Sequence, residues 1–388
     1  MSWKSADNSA AESVDLVWFS EVQWDFLSTR KQRLLQRFSS RWRILFIEPY
    51  ALGRSAHWLP VKRGRVVVVT VPFLKTVPFS IGRLLDLAVP RNGIASAGHL
   101  VLRFWLMMLG FSSPRRIIGL SNVYWGVVAA GMPCSLRFYD ANDDHLSFPG
   151  SPSWLPPFLA RYLQACSLVF SVSPELTARL QLPEGIRCVE LGNGVEYDHF
   201  AVDTPEIPSF LAALEGRKLG YAGAMDWVDC ELLAGIAGAW PDVHIVLVGP
   251  AYERNWWERQ EQLRGFSNVH YVGRVDYGDL PTWINGFDLA LMPLLRNPLK
   301  TVSHPNKLYE YCAAGVPVLA IDYCSALDAA RGVIHVARTN EEFIAMIPEA
   351  LRDNRKAERK AFARQHDWNR LAAEMERELL KSSGRGCL

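Results

Sequence analysis

The segment HPNKLYEYCAAGVPVLAID, residues 304–322, brings an amide, a cation and a carboxylate together at the start of an expected short helix. Pro305 suits the first turn, where a missing N–H costs nothing, and Gly315 suits the position just past the end. Leu308, Tyr311 and Cys312 fall on one face at i, i+3, i+4 and are expected to pack on a sheet. Asn306, Lys307 and Glu310 cluster on another face. A helix start offers free N–H groups and the positive end of the macrodipole, an unfavourable place for Lys307 unless an anion is near. A diphosphate would supply that anion. Glu310, one turn on, would accept hydrogen bonds from the two ribose hydroxyls of the same nucleotide. Taken alone, the helix reads more simply as a surface element with a Lys307–Glu310 pair worth about 0.2–0.5 kcal/mol.

A second constellation lies in FYDANDDHLSF, residues 138–148, where Asp140, Asp143, Asp144 and His145 fall within six positions after an expected strand. A carboxylate or imidazole there could take the proton of a hydroxyl nucleophile. Asp143 and Asp144 serve equally well as an Asx-turn or a helix cap. Trp24, Asp25 and Arg30 follow the first expected strand and are further candidates for an acceptor pocket. Trp24 would stack on a sugar face or fill the core.

These residues need strand ends to hold them. The first half alternates apolar runs with helical patterns: strands are expected at 14–20, 43–49, 65–72, 115–121, 135–140 and 166–173, with a helix at 30–42. Short apolar runs joined by amphipathic stretches imply parallel strands with crossover helices. Proline and turn residues dominate 197–218, which reads as a linker. The rhythm then restarts, with strands expected at 218–225, 243–250, 269–275, 288–294, 316–322 and 332–337. The pattern implies an α/β chain of two doubly wound halves, each binding ligands beyond the carboxyl ends of its strands, with a cleft between them.

Composition bounds the classes. The chain has 388 residues, enough for two domains, with 49% hydrophobic and 21% charged residues. A net charge of +2 argues against a nucleic-acid binder. Seven scattered cysteines without CxxC spacing read as reduced thiols of a cytosolic protein. The polar first dozen residues lack the apolar region of a secretory signal. The most apolar stretch, 94–111, is interrupted by His99 and Arg103 and falls short of a membrane span. Residues 81–116 mix leucine, methionine and Trp105 with Arg83, Arg91, Arg103, Arg115 and Arg116, a surface that can lie in a membrane interface or pack on the first sheet.

PNKLYEYCAAGVPVLA closely resembles the nucleotide-sugar motif of GT-B glycosyltransferases of the family 4 type. LVFSVSPELTARL (168–180), LGNGVEYDHF (191–200), LGYAGAMDWVDCELLAGIAGAWPDVHIVLVGP (219–250), VHYVGRVDYGDLPTWINGFDLALMPL (269–294) and QHDWNRLAAEM (365–375) are similar to further family segments in order and spacing. The start, DLVWFSEVQWDFLSTRKQRLLQRF, resembles a subgroup that makes bacterial cell-wall or capsular polysaccharides, teichuronic acid transferases among them. The resemblance implies the GT-B fold, two Rossmann-like domains facing across a cleft: an acceptor-side domain at 1–200, a linker at 201–217, a donor domain at 218–364 and a terminal helix at 365–388 that crosses back. It implies a hexosyl transfer from a nucleoside-diphosphate sugar, UDP- or GDP-linked, to a glycan or lipid-linked acceptor, with no metal. The expected setting is cytoplasmic, with peripheral contact at the inner membrane face.

The resemblance also assigns roles. Gly223, with Ala224, would admit the diphosphate; Gly249 and Val275 would border the base; Arg274 and Lys307 would face the phosphates, with Asn306 beside Lys307 in the donor site; Glu310 would hold the ribose. Arg274 reads as readily as a solvated loop arginine. Some inverting relatives carry an aspartate where Asp143 stands, which favours it as base over Asp140 and His145; a retaining enzyme would need none. Two departures stand out. Val302 occupies the place of the first of two family glutamates, and the turn GAMDWVD (223–229) lacks the family's basic pair. A nucleotide-sugar epimerase on the same fold and a non-catalytic glycan- or nucleotide-binding homologue remain open beside the transferase.

Overall fold

The computed structural model describes residues 13–26, 28–50, 55–72, 83–148 and 150–384. The polar first dozen residues and the side chain of Arg83 lie outside the description. The chain divides into two compact units: one runs up to Leu191 and takes in the residues from Ala372 onward, and the other is Gly192–Leu371.

The first unit holds an eight-stranded sheet. Its strands are β1 (Val14–Phe19), β2 (Trp42–Pro49), β3 (Val61–Arg63), β4 (Val66–Val71), β5 (Ile117–Leu120), β6 (Leu136–Ala141), β7 (Leu168–Ser171) and β8 (Arg187–Glu190). They lie in the order β3-β4-β2-β1-β5-β6-β7-β8, and every pairing except β3 with β4 is parallel. β5 and β7 are buried at every position, as expected for parallel strands covered on both faces. The two strands missed from sequence, β3 and β8, are the sheet's edges. Both are short, polar and half open to solvent, so no apolar run announces them.

The second unit holds a six-stranded, all-parallel sheet: β9 (Arg217–Ala222), β10 (Val243–Val248), β11 (Val269–Gly273), β12 (Leu289–Met292), β13 (Val318–Ile321) and β14 (His335–Ala337), in the order β11-β10-β9-β12-β13-β14. Leu219 pairs with Ile245 on one side and Leu289 on the other. The expected linker needs correction. The division falls after Leu191, and 201–217 packs on the second unit. Its short helix Ser209–Ala213 buries Leu211 completely, and Leu211 and Ile207 close on the space a side chain at Gly286 would fill. Apolar residues among the prolines therefore made this segment part of the core.

Candidate donor-binding site

The second sheet reverses direction between β9 and β12. The chain steps outward through β10 and β11, then restarts on the other side of β9. In open parallel sheets the crevice beyond such a reversal is the ligand site. Three segments converge there: the turn after β9, the stretch after β12, and the helix Asn306–Ala314.

Glycines make the β9 side low. Gly223 has φ 158° and Gly249 φ 139°, and a Cβ on Gly249 would lie 2.0 Å from the Gly223 carbonyl oxygen. Gly223 N donates to Val248 O at 2.8 Å, and Gly249 N donates to Gly273 O at 2.7 Å, so main-chain bonds stitch the ends of β9, β10 and β11. A Cβ on Gly223 would meet Lys307 Cε at 2.8 Å. The missing side chain is thus the space Lys307 uses.

The helix is locked in place from both ends. Tyr311 Oη accepts from Ala222 N at 2.7 Å and donates to Ala222 O at 3.2 Å, tying the helix to the end of β9. Leu308, Tyr311 and Cys312 are fully buried, the face expected from spacing. Gly315 at φ 77° closes the helix, with Val316 N donating to Tyr311 O at 3.2 Å. Ahead of it, His304 Nδ1 accepts from Asn193 N at 3.0 Å, Asn193 Nδ2 donates to His304 O at 2.7 Å, and the His304 ring stacks on Tyr309.

Pro305 is the N-cap and the helix begins one residue later than expected, at Asn306. The cap residue has no side chain to offer the first amides, and the first turn has no acid. The helix start is therefore ready for an anion. Asn306 is exposed; Lys307 and Glu310 are half-buried. Burial pushes the Lys307 ammonium down to about 8; Lys300 adds to this and Glu310 opposes it. Lys307 Nζ also lies 5.3 Å from the centroid of the Tyr221 ring.

Of the other expected donor residues, Val275 packs half-buried on the core, and Arg274 is exposed after β11, the edge strand. The structure gathers Gly223, Gly249 and Lys307, while Arg274 follows a strand two positions from β9. Val302 is fully buried. Sequence reasoning missed Lys300 and Trp227. Lys300 Nζ lies 4.0 Å from the centroid of the Trp227 ring. It stands in the short helix Pro298–Thr301, capped by Asn297, whose side chain accepts from Lys300 N at 2.9 Å. The Asn-Pro turn after an expected strand was the available signal, but only strand order brings it beside the turn after β9.

In the first unit the reversal falls between β1 and β5, and residues 142–148 follow β6, one strand beyond. Asp143 is half-buried in a turn, its Oδ1 accepting from Asp144 N at 3.0 Å. His145, also half-buried, approaches Asn142 Oδ1 at 3.2 Å and stacks on Phe148. Burial pushes the Asp144 carboxyl up, but Ser147 and Arg179 outweigh that and hold it below the usual carboxylate value. Two expected acceptor residues are corrected. Asp140 is fully buried and ion-paired with Arg30 Nε at 3.1 Å; burial raises its carboxyl against the pull of Arg30 and Lys31. Trp24 is buried edge-on against Phe46 and its backbone N donates to Glu48 at 2.7 Å, so its ring is packing, not a sugar platform. Arg30 is consumed by Asp140, and Asp25 is held by Arg63 at 2.7 Å. Among the described residues no group of three or more His, Cys, Asp or Glu side chains is placed to hold a metal ion.

Two parallel-sheet α/β units of these topologies define the GT-B fold, and solved structures share it. An Escherichia coli trehalose-6-phosphate protein bound with UDP-2-fluoro glucose matches with a TM-score of 0.71 at 12% identity, covering 94% of this chain and 98% of its own. Sucrose-phosphate synthase of Thermosynechococcus elongatus matches at 0.70 and 12% identity, over 95% and 98%. HepE of Anabaena in complex with UDP matches at 0.65 and 16% identity, over 95% and 100%. At such identities the likeness shows the fold alone.

The sequence comparisons are more particular. Residues 217–353, inside the second unit, match the family model described as Glycosyl transferases group 1. TuaH of Bacillus subtilis (strain 168), whose name provisionally assigns it to teichuronic acid biosynthesis as a glycosyltransferase, is 30% identical over 211 residues. That match covers 52% of this chain and 51% of TuaH, so the chain spans about half the length of the curated relative it matches. The resemblance read from the sequence is thereby met in fold, and the family model and TuaH match part of the chain.

Proposed function

We propose that the protein is a glycosyltransferase that moves a hexosyl group from a nucleoside-diphosphate sugar to a glycan or lipid-linked acceptor in polysaccharide biosynthesis. One observation carries the reading: an uncapped helix start with Lys307 against Gly223, and Glu310 one turn on, at the strand-order reversal of the segment that matches the family model. UDP and UDP-sugar complexes among the structural neighbours support such a donor, and the name of TuaH supports an envelope polysaccharide as the product.

In this reading the diphosphate lies against the first amides of the Asn306–Ala314 helix, with Lys307 beside it and Glu310 on the ribose. Gly249 and Val275 border the base, with Arg274 nearby. Negative charge grows on the leaving diphosphate during transfer, so fixed cations and amides favour the transition state over the ground state. In an inverting reaction Asp143 takes the acceptor proton, with His145 as alternative; in a retaining one the donor phosphate does so.

The exposed face of the helix Ala88–Met108 carries Leu100, Phe104, Met107 and Met108, with Arg103 exposed and no acid along it. No described helix is long and apolar enough to cross a membrane. That face supports peripheral contact with an anionic lipid surface, where a lipid-linked acceptor would be met.

Donor binding is tested by thermal shift with UDP-, GDP- and dTDP-sugars; a ligand at a hundred times its dissociation constant adds about 2.7 kcal/mol of stability. Binding lost in Glu310→Ala, with the fold kept, is expected. A wild-type protein that binds none of the three contradicts the reading. Buried Val302 keeps a non-catalytic binding protein as the second reading, and sugar transfer or nucleotide-sugar epimerisation by the wild type decides against it.

A further inference from the structure

The turn after β9 must present charge to a diphosphate, yet GAMDWVD contains no cation. Its two acids are engaged elsewhere. Asp226 accepts from Tyr252 N at 3.0 Å and Glu253 N at 2.7 Å, and Asp229 caps the helix Cys230–Ala239 by accepting from Leu232 N at 2.9 Å. The turn thus faces the reversal with main chain and the ring of Trp227.

Positive charge arrives from the other side. Lys307 reaches the Gly223 end of the turn, and Lys300 lies over Trp227 at its far end. Both lysines come from the chain following β12, two residues before and five after Val302. The backbone at Trp227 is anchored beside the stretch after β12: Leu295 N donates to its carbonyl at 2.9 Å, and Val228 bridges Leu294. Both lysines are half-buried, close enough that Lys300 depresses the charged form of Lys307. Packing two ammonium groups along one turn works against folding, and an anion of two or more charges between them reverses that cost.

We propose that Lys300 and Lys307 together clamp the donor diphosphate, with Lys300 on Trp227 supplying the charge that the turn 223–229 lacks. This rests on the donor reading above. Lys307 serves the phosphate nearest the helix start, and Lys300 the one nearest Trp227. Both charges stay fixed while the sugar–phosphate bond breaks, so they act on the leaving diphosphate without exchanging a proton with it.

The test is isothermal titration of wild type, Lys300→Met and Lys300→Arg with UDP and inorganic pyrophosphate at fixed ionic strength, with uridine followed by NMR titration. Methionine keeps an apolar stem on Trp227 and removes the charge. The expected result is a tenfold or greater loss of UDP and pyrophosphate affinity in Lys300→Met, unchanged uridine binding, and near wild-type values in Lys300→Arg. Lys300→Met should also raise the pH at which pyrophosphate affinity begins to fall, because the neighbour that depresses Lys307 is gone. Glu310 and the Tyr221 hydroxyl also face Lys307, and neither is altered by the substitution. UDP binding unchanged in Lys300→Met overturns the proposal, as does an equal loss for UDP and uridine. If wild type binds none of UDP, GDP, dTDP and pyrophosphate, the donor reading itself fails and this inference with it.

Discussion

Binding of a nucleoside diphosphate is expected to drive a proton onto Lys307. Its ammonium falls from 10.5 to about 8, chiefly through burial and then through Lys300. A gap of about 2.5 units corresponds to roughly 3 kcal/mol against the charged form, a ceiling because the half-buried group is partly screened. In the free protein about a tenth of Lys307 is neutral at pH 7 and about three-quarters at pH 8.5. A bound diphosphate restores the charge, so binding takes up about 0.1 proton at pH 7 and about 0.7 at pH 8.5. The phosphates' own second ionisation, near about pH 6, is complete by pH 8.5. Calorimetry of UDP binding in buffers of different ionisation enthalpy reads this number directly. Affinity should fall as pH rises above 8, towards about tenfold per unit. The same group sets a stability slope. Its folded value lies below its unfolded one, so between about pH 8 and 10.5 the unfolded chain holds more protons and this group makes unfolding harder as pH rises. Equal proton uptake at pH 7 and 8.5, or none at either, refutes the reasoning.

Three further predictions concern the supports of the site. Tyr311→Phe strips the buried Ala222 N–H of its partner and should cost about 1–3 kcal/mol in chemical denaturation. Gly249→Ala places a methyl 2.0 Å from the Gly223 carbonyl oxygen at a φ of 139°, so it should lower both stability and UDP affinity in parallel melting and binding assays. Asp353 accepts from Arg359 at 2.7 Å and from His335 at 2.8 Å, and Arg359 also donates to Gly315 O at 3.3 Å, at the end of the donor helix. Burial raises the Asp353 carboxyl, but Arg355 and Arg359 hold it well below the ordinary carboxylate range. Its contribution is therefore present at neutral pH and lost only as strong acid protonates it. Asp353→Ala, which leaves Arg359 buried without this partner, should cost about 3–5 kcal/mol in urea titration at pH 7.

The apolar runs revealed both sheets because strands covered on two faces must be apolar throughout, as LALM of β12 and VLAI of β13 are. The edge strands β3 and β8 obey no such demand, and they were invisible. The Asn306–Ala314 helix was legible from its own spacing, including Gly315 beyond its end, although Pro305 turned out to be its cap. Gly223 stood out as a glycine, but the reason for it, room for Lys307, needed the fold. Lys300 was out of reach because the Asn-Pro turn before it marks a turn but not a site; its meaning depends on β12 lying beside β9. The acids at and beyond the end of β6 show the opposite failure. Asp140 has the right type and place, yet burial beside Arg30 removes it from any acceptor, and composition alone does not distinguish it from Asp143.

A crystal structure of the protein with UDP tests the central claim most directly. The account predicts phosphate oxygens at the amides of Asn306 and Lys307 with the Lys307 ammonium in contact, and both ribose hydroxyls on the Glu310 carboxylate. A nucleotide bound away from the reversal between β9 and β12, or a ribose that does not touch Glu310, contradicts it.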